Sequence, residues 1–214
     1  MMANTGVNKD SDKILHLIQP GTVGAEIGVW KGSSSEKFLK KGLSKFYMVD
    51  AWSLSGYDEA FQVNDPTISL TNIYNKYQKI VGSKHPADFQ DYYDKIYNGV
   101  VKMFSKFEEA VICRQTATDW FKEFKKTGEK LDWIYIDGDH SYTGVKNDLN
   151  NAIEVVKAGG YIIGDDYKWN SLTADKGGVK KAVNEFVSQR SLNLSAHGNV
   201  QWCIKLHEQK EIHA

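Results

Sequence analysis

The sequence predicts a doubly wound α/β domain, a largely parallel sheet with helices on both faces, and three observations predict it. Leu131-Asp132-Trp133-Ile134-Tyr135-Ile136 is an apolar run closed by Asp137, and Gly160-Tyr161-Ile162-Ile163-Gly164 is a second closed by Asp165-Asp166. One helix-length segment, Tyr142 to Val156, separates them, so the stretch reads as strand, helix, strand. A right-handed crossover lays such strands parallel, and as neighbours their carboxyl ends would stand about 4.8 Å apart. The third observation lies upstream: an apolar run, Val23 to Ile27, passes through the glycine-bounded turn Gly28-Val29-Trp30-Lys31-Gly32 into a serine-opened helix.

In chain order, Ile14, Leu15, Leu17 and Ile18 mark a short amphipathic helix stopped by Pro20-Gly21. The first strand and turn follow, then a helix from the serines at 33 to 35 to about Gly42. Phe46-Tyr47-Met48-Val49 is a second strand ending in Asp50, and Ala110 to Cys113 a third. Ile134 to Ile136 and Tyr161 to Ile163 are the fourth and fifth, and Gly178 to Gln189 is a helix. Leu192-Asn193-Leu194 and Val200 to Leu206, around His197-Gly198-Asn199, form a closing antiparallel hairpin. Residues 53–98 are too many for a plain connection and read as a lid. Its aromatics have helical spacing and are expected mostly to pack the lid on the domain, with Tyr57 and Phe61 at the tip as candidate substrate contacts.

A chain of 214 residues fits a single domain, 1–214, with that insertion. The 27 basic and 27 acidic residues cancel, which disfavours a nucleic-acid partner, and the lysine clusters around Lys40 and Lys125 read as solvated helix faces. No run reaches membrane-span length and no signal-peptide core opens the chain, so a cytoplasmic protein is expected. Cys113 and Cys203 sit in apolar strands and are expected to stay free in a reducing compartment. Met1-Met2 leaves open a place in a longer polypeptide, and homo-oligomerisation is equally open.

Three carboxylates at adjacent strand ends repel one another unless a cation neutralises them, and hard oxygen ligands suit Mg²⁺, Mn²⁺ or Ca²⁺. Asp139 competes with Asp137, which is preferred because it directly ends its strand. In the first turn Gly28 permits the sharp bend and Gly32 would let a ligand approach the backbone. A pyrophosphate cradle would want a third glycine where Trp30 stands, and Glu26 would repel phosphate while suiting an ammonium group. Asp50 is placed to accept hydrogen bonds from ribose hydroxyls.

Glu26-Ile27-Gly28-Val29-Trp30-Lys31-Gly32, Val49-Asp50, Ile136-Asp137-Gly138-Asp139-His140, Gly164-Asp165-Asp166-Tyr167 and Gly178 to Phe186 together resemble class I S-adenosylmethionine-dependent methyltransferases. Among these the chain is most similar to small metal-dependent O-methyltransferases, including those acting on sugar hydroxyls, from about Val23 to Leu206. The resemblance implies a seven-stranded sheet of order 3-2-1-4-5-7-6 with strand 7 antiparallel. It implies Glu26 and Gly28 at the methionine moiety, Asp50 at the ribose and Gln115-Thr116 near the adenine. It implies Asp137, Asp165 and Asp166 as ligands of Mg²⁺, with Mn²⁺ as the substitute. His140 falls where sugar-type enzymes carry a histidine base and catechol-type enzymes a lysine. Catechol-type enzymes also place asparagine where this chain has Asp166, so both departures favour a sugar-like acceptor.

The expected chemistry is methyl transfer to a hydroxyl of a sugar or glycan, with a vicinal diol chelated by the metal and His140 taking the proton. The plainer alternative is that His140 only orients Asp137. Tyr167, Lys168 and Trp169 either frame the acceptor or cover the sheet edge, and the other histidines are expected to be structural or exposed. Three further readings remain: a catechol-like or other small diol as acceptor, a non-catalytic nucleoside-binding module, and a nicotinamide-dependent oxidoreductase. Trp30 in the glycine turn disfavours the last.

Overall fold

The computed structural model describes residues 13–167, 178–197 and 200–208. Its seven-stranded sheet runs β3-β2-β1-β4-β5-β7-β6. The strands are β1 (Val23–Ile27), β2 (Lys45–Asp50), β3 (Ala110–Arg114), β4 (Leu131–Ile136), β5 (Val156–Gly164), β6 (Asn193–His197) and β7 (Gln201–Lys205). β1 to β5 pair in parallel, while β7 runs antiparallel to both β5 and β6. This is the expected order, including the single reversed strand. β5 begins five residues earlier than the sequence pattern indicates, and its pairing with β4 shifts register between Leu131 and Trp133.

Strand alternation builds two cores. Ala25, Ile27, Tyr47, Val49, Ile134, Ile136 and Ile162 face α5 (Ala117–Thr127), α6 (Tyr142–Val155) and α7 (Gly178–Arg190). Phe46, Met48, Trp133, Tyr135, Ile163 and Cys203 form the other face with Phe38 of α1 (Ser33–Leu39) and Phe89, Tyr93 and Phe104 of α4 (Pro86–Phe104). Both faces are covered, as a parallel sheet requires. The Ile14 to Ile18 segment is only a 3₁₀ turn, Leu15–Leu17, because Pro20-Gly21 leaves no room for more; Ile14 and Ile18 are nonetheless fully buried.

Between β2 and β3 lie α2 (Asp58–Gln62), α3 (Leu70–Val81) and α4, preceded by a 3₁₀ turn, Leu54–Tyr57. Ser69 caps α3, Gly82 ends it in a left-handed conformation, and Pro86 opens α4. Among the described residues no helix is long and apolar enough to cross a membrane. Cys113 and Cys203 are free thiols, on β3 at one edge of the sheet and on β7 near the other. Lys168, Trp169, Gly198, Asn199 and His213 lie outside the described residues.

Candidate active site

Backbone bonds that continue the ladders fix where each strand releases its chain. Gly28 N donates to Val49 O (2.8 Å), Asp137 N to Ile27 O (2.8 Å), Asp165 N to Ile136 O (3.1 Å) and Gln115 N to Asp50 O (3.1 Å). The ends of β1 to β5 are thereby drawn into one row, and a cavity of about 610 Å³ opens above it. Glu26, Gly28, Trp30, Asp50, Thr116, Asp137 and His140 line this cavity together with Tyr57, Tyr77 and Tyr93 from the segment between β2 and β3.

Glu26 is the penultimate residue of β1, on the α1 face, 1% exposed, with Ser35 Oγ donating to its Oε2. Burial holds its carboxyl well above the ordinary range, an effect the Ser35 bond only partly offsets. A buried acid open to a cavity, with no cationic side chain paired to it among the described residues, suits an arriving ammonium. Gly28, at φ +91°, brings the first turn so close to β4 that a Cβ there would lie 2.1 Å from the Asp137 carbonyl oxygen. Asp50 has a role the sequence pattern did not disclose. Its Oδ2 accepts from Trp30 N (2.8 Å) and its Oδ1 from Trp52 N (2.6 Å), so it braces two backbone turns while facing the cavity. Burial raises its carboxyl and these backbone donors pull it back.

At the ends of β4 and β5, ligand atoms of Asp137, His140 and Asp166 all lie within 4.8 Å of one another. His140 stands between the acids, Nε2 3.2 Å from Asp137 Oδ1 and Nδ1 2.9 Å from Asp166 Oδ2. Burial alone would lower the imidazole, but the two carboxylates outweigh it and raise its pKa well above the ordinary histidine value. Burial also pushes Asp137 up to about 6, with His140 opposing. Asp165 departs from the expected trio. Tyr135 OH donates to its Oδ2 (3.0 Å) and Asp166 N to its Oδ1 (2.9 Å), which turns the carboxylate into the sheet, and Gln201 Nε2 supports the tyrosine at 3.2 Å. Asp139 is committed to Ser141, accepting from its amide (2.9 Å) and its hydroxyl (3.0 Å).

Two other expected residues are placed differently. Gly32 does not line the cavity: what closes on it is the Phe104 ring, 2.4 Å from where a Cβ would sit, so the glycine serves α1–α4 packing. Gln115 lies outside the lining as well, whereas Thr116 is in it and caps α5 through a bond from Asp119 N. Tyr57 lines the cavity, and Phe61 packs behind it with ring centroids 5.9 Å apart. Tyr167 OH donates to Asn184 Oδ1 (2.7 Å), which ties it to α7. Glu59, Tyr135, Asp148 and Gln201 escaped the sequence reading. For Asp148 a signal existed, an acid within the buried stripe Val145, Leu149, Ala152 of α6.

Glu26→Gln is expected to weaken binding of a ligand ammonium about 10- to 100-fold, the worth of a hydrogen bond to a charged group. The same change should stabilise the ligand-free protein at neutral pH. Because folding raises the Glu26 pKa, the wild type loses stability as pH climbs from the unfolded value through the folded one. Thermal melting between pH 4 and 8 (approximately the span of such shifts) checks this; parallel curves for both proteins would contradict it.

A family model described as a methyltransferase domain matches residues 25–167, from β1 through the end of β5. An uncharacterised protein of Acanthamoeba polyphaga mimivirus is 41% identical over 61 residues, 27% of this chain and only 25% of the viral protein. A methyltransferase structure from Streptococcus mutans, described as S-adenosylmethionine-dependent, superposes with a TM-score of 0.57 at 11% identity, covering 92% of this chain and 47% of that one. Fibrillarin from Aeropyrum pernix, with natively bound S-adenosylmethionine, gives 0.55 at 9% identity, covering 91% and 72%. At such identities the structural matches speak to the fold.

Proposed function

Because the chain belongs to the methyltransferase-domain family, we propose that it transfers a methyl group from S-adenosylmethionine to a hydroxyl of a sugar or glycan, with a divalent cation, Mg²⁺ first, at the acids. The observation that carries this reading is His140 poised between Asp137 and Asp166 in the same row of strand ends that presents Glu26 and Asp50.

The cofactor fits the residues present: a buried acid without a cation for its ammonium, a glycine turn pressed against β4, and a carboxylate at the end of β2. When bound it supplies an electrophilic methyl group. The acids fit a divalent ion, which Asp137 and Asp166 would hold, while Asp165, with both oxygens hydrogen-bonded, would join them only by giving up a bond; the ion would supply charge neutralisation and acidify a nearby hydroxyl. With the acids neutralised, the imidazole no longer has to carry their counter-charge. Asp166 then keeps Nδ1 and fixes the ring, leaving Nε2 to accept the acceptor's proton, a contribution of order 10²–10⁴ in rate. Tyr57 lines the cavity with the buried Tyr77 and Tyr93, whose rings pack on each other and on Phe89 and Trp30, and together they would keep water from the reacting groups.

The test is mass spectrometry of sugars and catechols incubated with the protein and S-adenosylmethionine, with Mg²⁺ or with EDTA. Methylated sugar only in the presence of the ion is expected. Full activity in EDTA removes the metal from the proposal, and methylation confined to catechols moves the acceptor.

A further inference from the structure

A buried polar chain crosses the apolar layer on the α1 face of the sheet. Gln201 of β7 donates through Nε2 to Tyr135 OH of β4 (3.2 Å), and the phenol donates in turn to Asp165 Oδ2 (3.0 Å), just past the end of β5. Gln201 and Tyr135 are fully buried, in the layer that holds Phe38, Ile163 and Cys203, and Asp165 is 7% exposed. Burial, then the charges of Asp137 and Asp165, hold the phenol well above its ordinary pKa, so it enters the chain as a donor with a single hydrogen. Gln201 Oε1 is the one fully enclosed side-chain polar atom without a hydrogen-bond partner among the described residues. A lone buried acceptor of this kind is costly.

The orphan oxygen belongs to the same amide as the nitrogen that reaches the phenol. Half a turn of that amide exchanges two atoms of nearly equal size and brings Oε1 to the tyrosine, whose hydroxyl then has a second acceptor for its one hydrogen. In the arrangement observed, the hydrogen points to Asp165 and the unpaired group is the amide oxygen. In the other, it points to Gln201 and the unpaired group is the amide NH₂. The glutamine is left with one unpaired group either way, so what differs is whether Asp165 keeps its donor. The Asp165 backbone is pinned in both, with its N–H on Ile136 O (3.1 Å) and its carbonyl taken by Trp202 Nε1 (3.0 Å), which leaves only the side chain to turn. We infer that Gln201 and Asp165 compete for the Tyr135 hydroxyl hydrogen, and that this competition sets how readily Asp165 joins Asp137 and Asp166 around a divalent ion. The inference rests on the ion reading above. Tyr135 restrains the third carboxylate and Gln201 helps release it; both are positioning residues, and the hydrogen stays on the phenol oxygen throughout.

The test is calorimetric titration of Mg²⁺, and separately of Mn²⁺, into wild type, Tyr135→Phe and Gln201→Leu. Tyr135→Phe removes the restraint and should bind the ion about 10-fold more tightly, the lower end of the worth of a hydrogen bond to a charged group. Gln201→Leu removes the competing acceptor, leaves the phenol on Asp165 and should bind the ion about 3- to 10-fold more weakly, the worth of an ordinary hydrogen bond. Opposite signs mark the competition, because a purely structural role would make both variants, each truncating the same buried chain, weaken binding together. The Tyr135→Phe gain should vanish in an Asp165→Asn background. The double variant Tyr135→Phe/Gln201→Leu leaves neither side chain with an unpaired polar group and should match Tyr135→Phe, which answers the question even where a single variant does not fold. Unchanged or weakened binding in Tyr135→Phe and in the double variant, a gain that survives Asp165→Asn, or wild-type affinity in Gln201→Leu would each overturn the inference. Absence of ion binding in the wild type and in every variant is a different failure, which takes down the ion reading and this inference together.

Discussion

Replacing Asp137 by Ala is expected to lower the rate of methyl transfer by at least about 10³, more than the loss of a base alone, because two functions fail together. Asp137, with His140 and Asp166, offers one of three ligand atoms that lie within 4.8 Å of one another, and it is the group facing His140 Nε2 at 3.2 Å. On the proposed reading its removal would leave a divalent ion short of a ligand, and it leaves the imidazole without its partner at Nε2. His140→Ala should separate these effects: kcat falls about 10²–10⁴-fold while divalent-ion affinity is nearly retained, since the acids that hold the ion remain. Ion titration by calorimetry and single-turnover rates supply the two readouts. An Asp137→Ala variant with wild-type rate and ion affinity would remove the acid from the site. Asp165→Asn and Asp166→Asn refine the ligand set. With Asp165 tied to Tyr135, the Asp166 change is expected to cost the greater share of ion affinity; a greater loss from Asp165→Asn would restore the ligand trio implied by the family resemblance.

Gly28→Ala is expected to destabilise the protein by about 2–5 kcal/mol, combining a backbone conformation unfavourable to L-residues with overpacking. The residue has φ +91°, and the new Cβ would lie 2.1 Å from the Asp137 carbonyl oxygen and 2.6 Å from Gly138 Cα. Both obstacles are backbone, so no side chain can swing away. Nor can the strands separate cheaply, because Asp137 N is bonded to Ile27 O and Gly28 N to Val49 O, each at 2.8 Å. Urea unfolding measures the loss, and binding of S-adenosylhomocysteine should weaken in parallel because the same turn lines the cavity. A variant within about 0.5 kcal/mol of wild type, the ordinary range of a surface change, would mean that the turn does not approach β4 as described.

The sequence by itself determined the sheet and the row of strand ends. Apolar runs of strand length closed by Asp50, Asp137 and Asp165-Asp166 are local patterns, and the handedness of crossovers turns such patterns into a parallel sheet. It also brought Asp137 and His140 together, since they stand three positions apart in the chain. Tertiary structure alone decided which oxygens are free. Asp50 looks like a ligand acid until Trp30 and Trp52, 20 residues upstream and two downstream, present their amides to it. Asp165 looks equivalent to Asp166 until Tyr135, a strand away, claims one of its oxygens and Trp202 Nε1 claims its carbonyl. Gly32 reads as an opening for a ligand until Phe104, 72 positions later in the chain, packs on it. Spacing along a chain fixes which backbone and side chains emerge at a strand end, but hydrogen-bond capacity is consumed by partners distant in sequence. Which acids remain to meet a ligand is therefore settled only when the chain has folded.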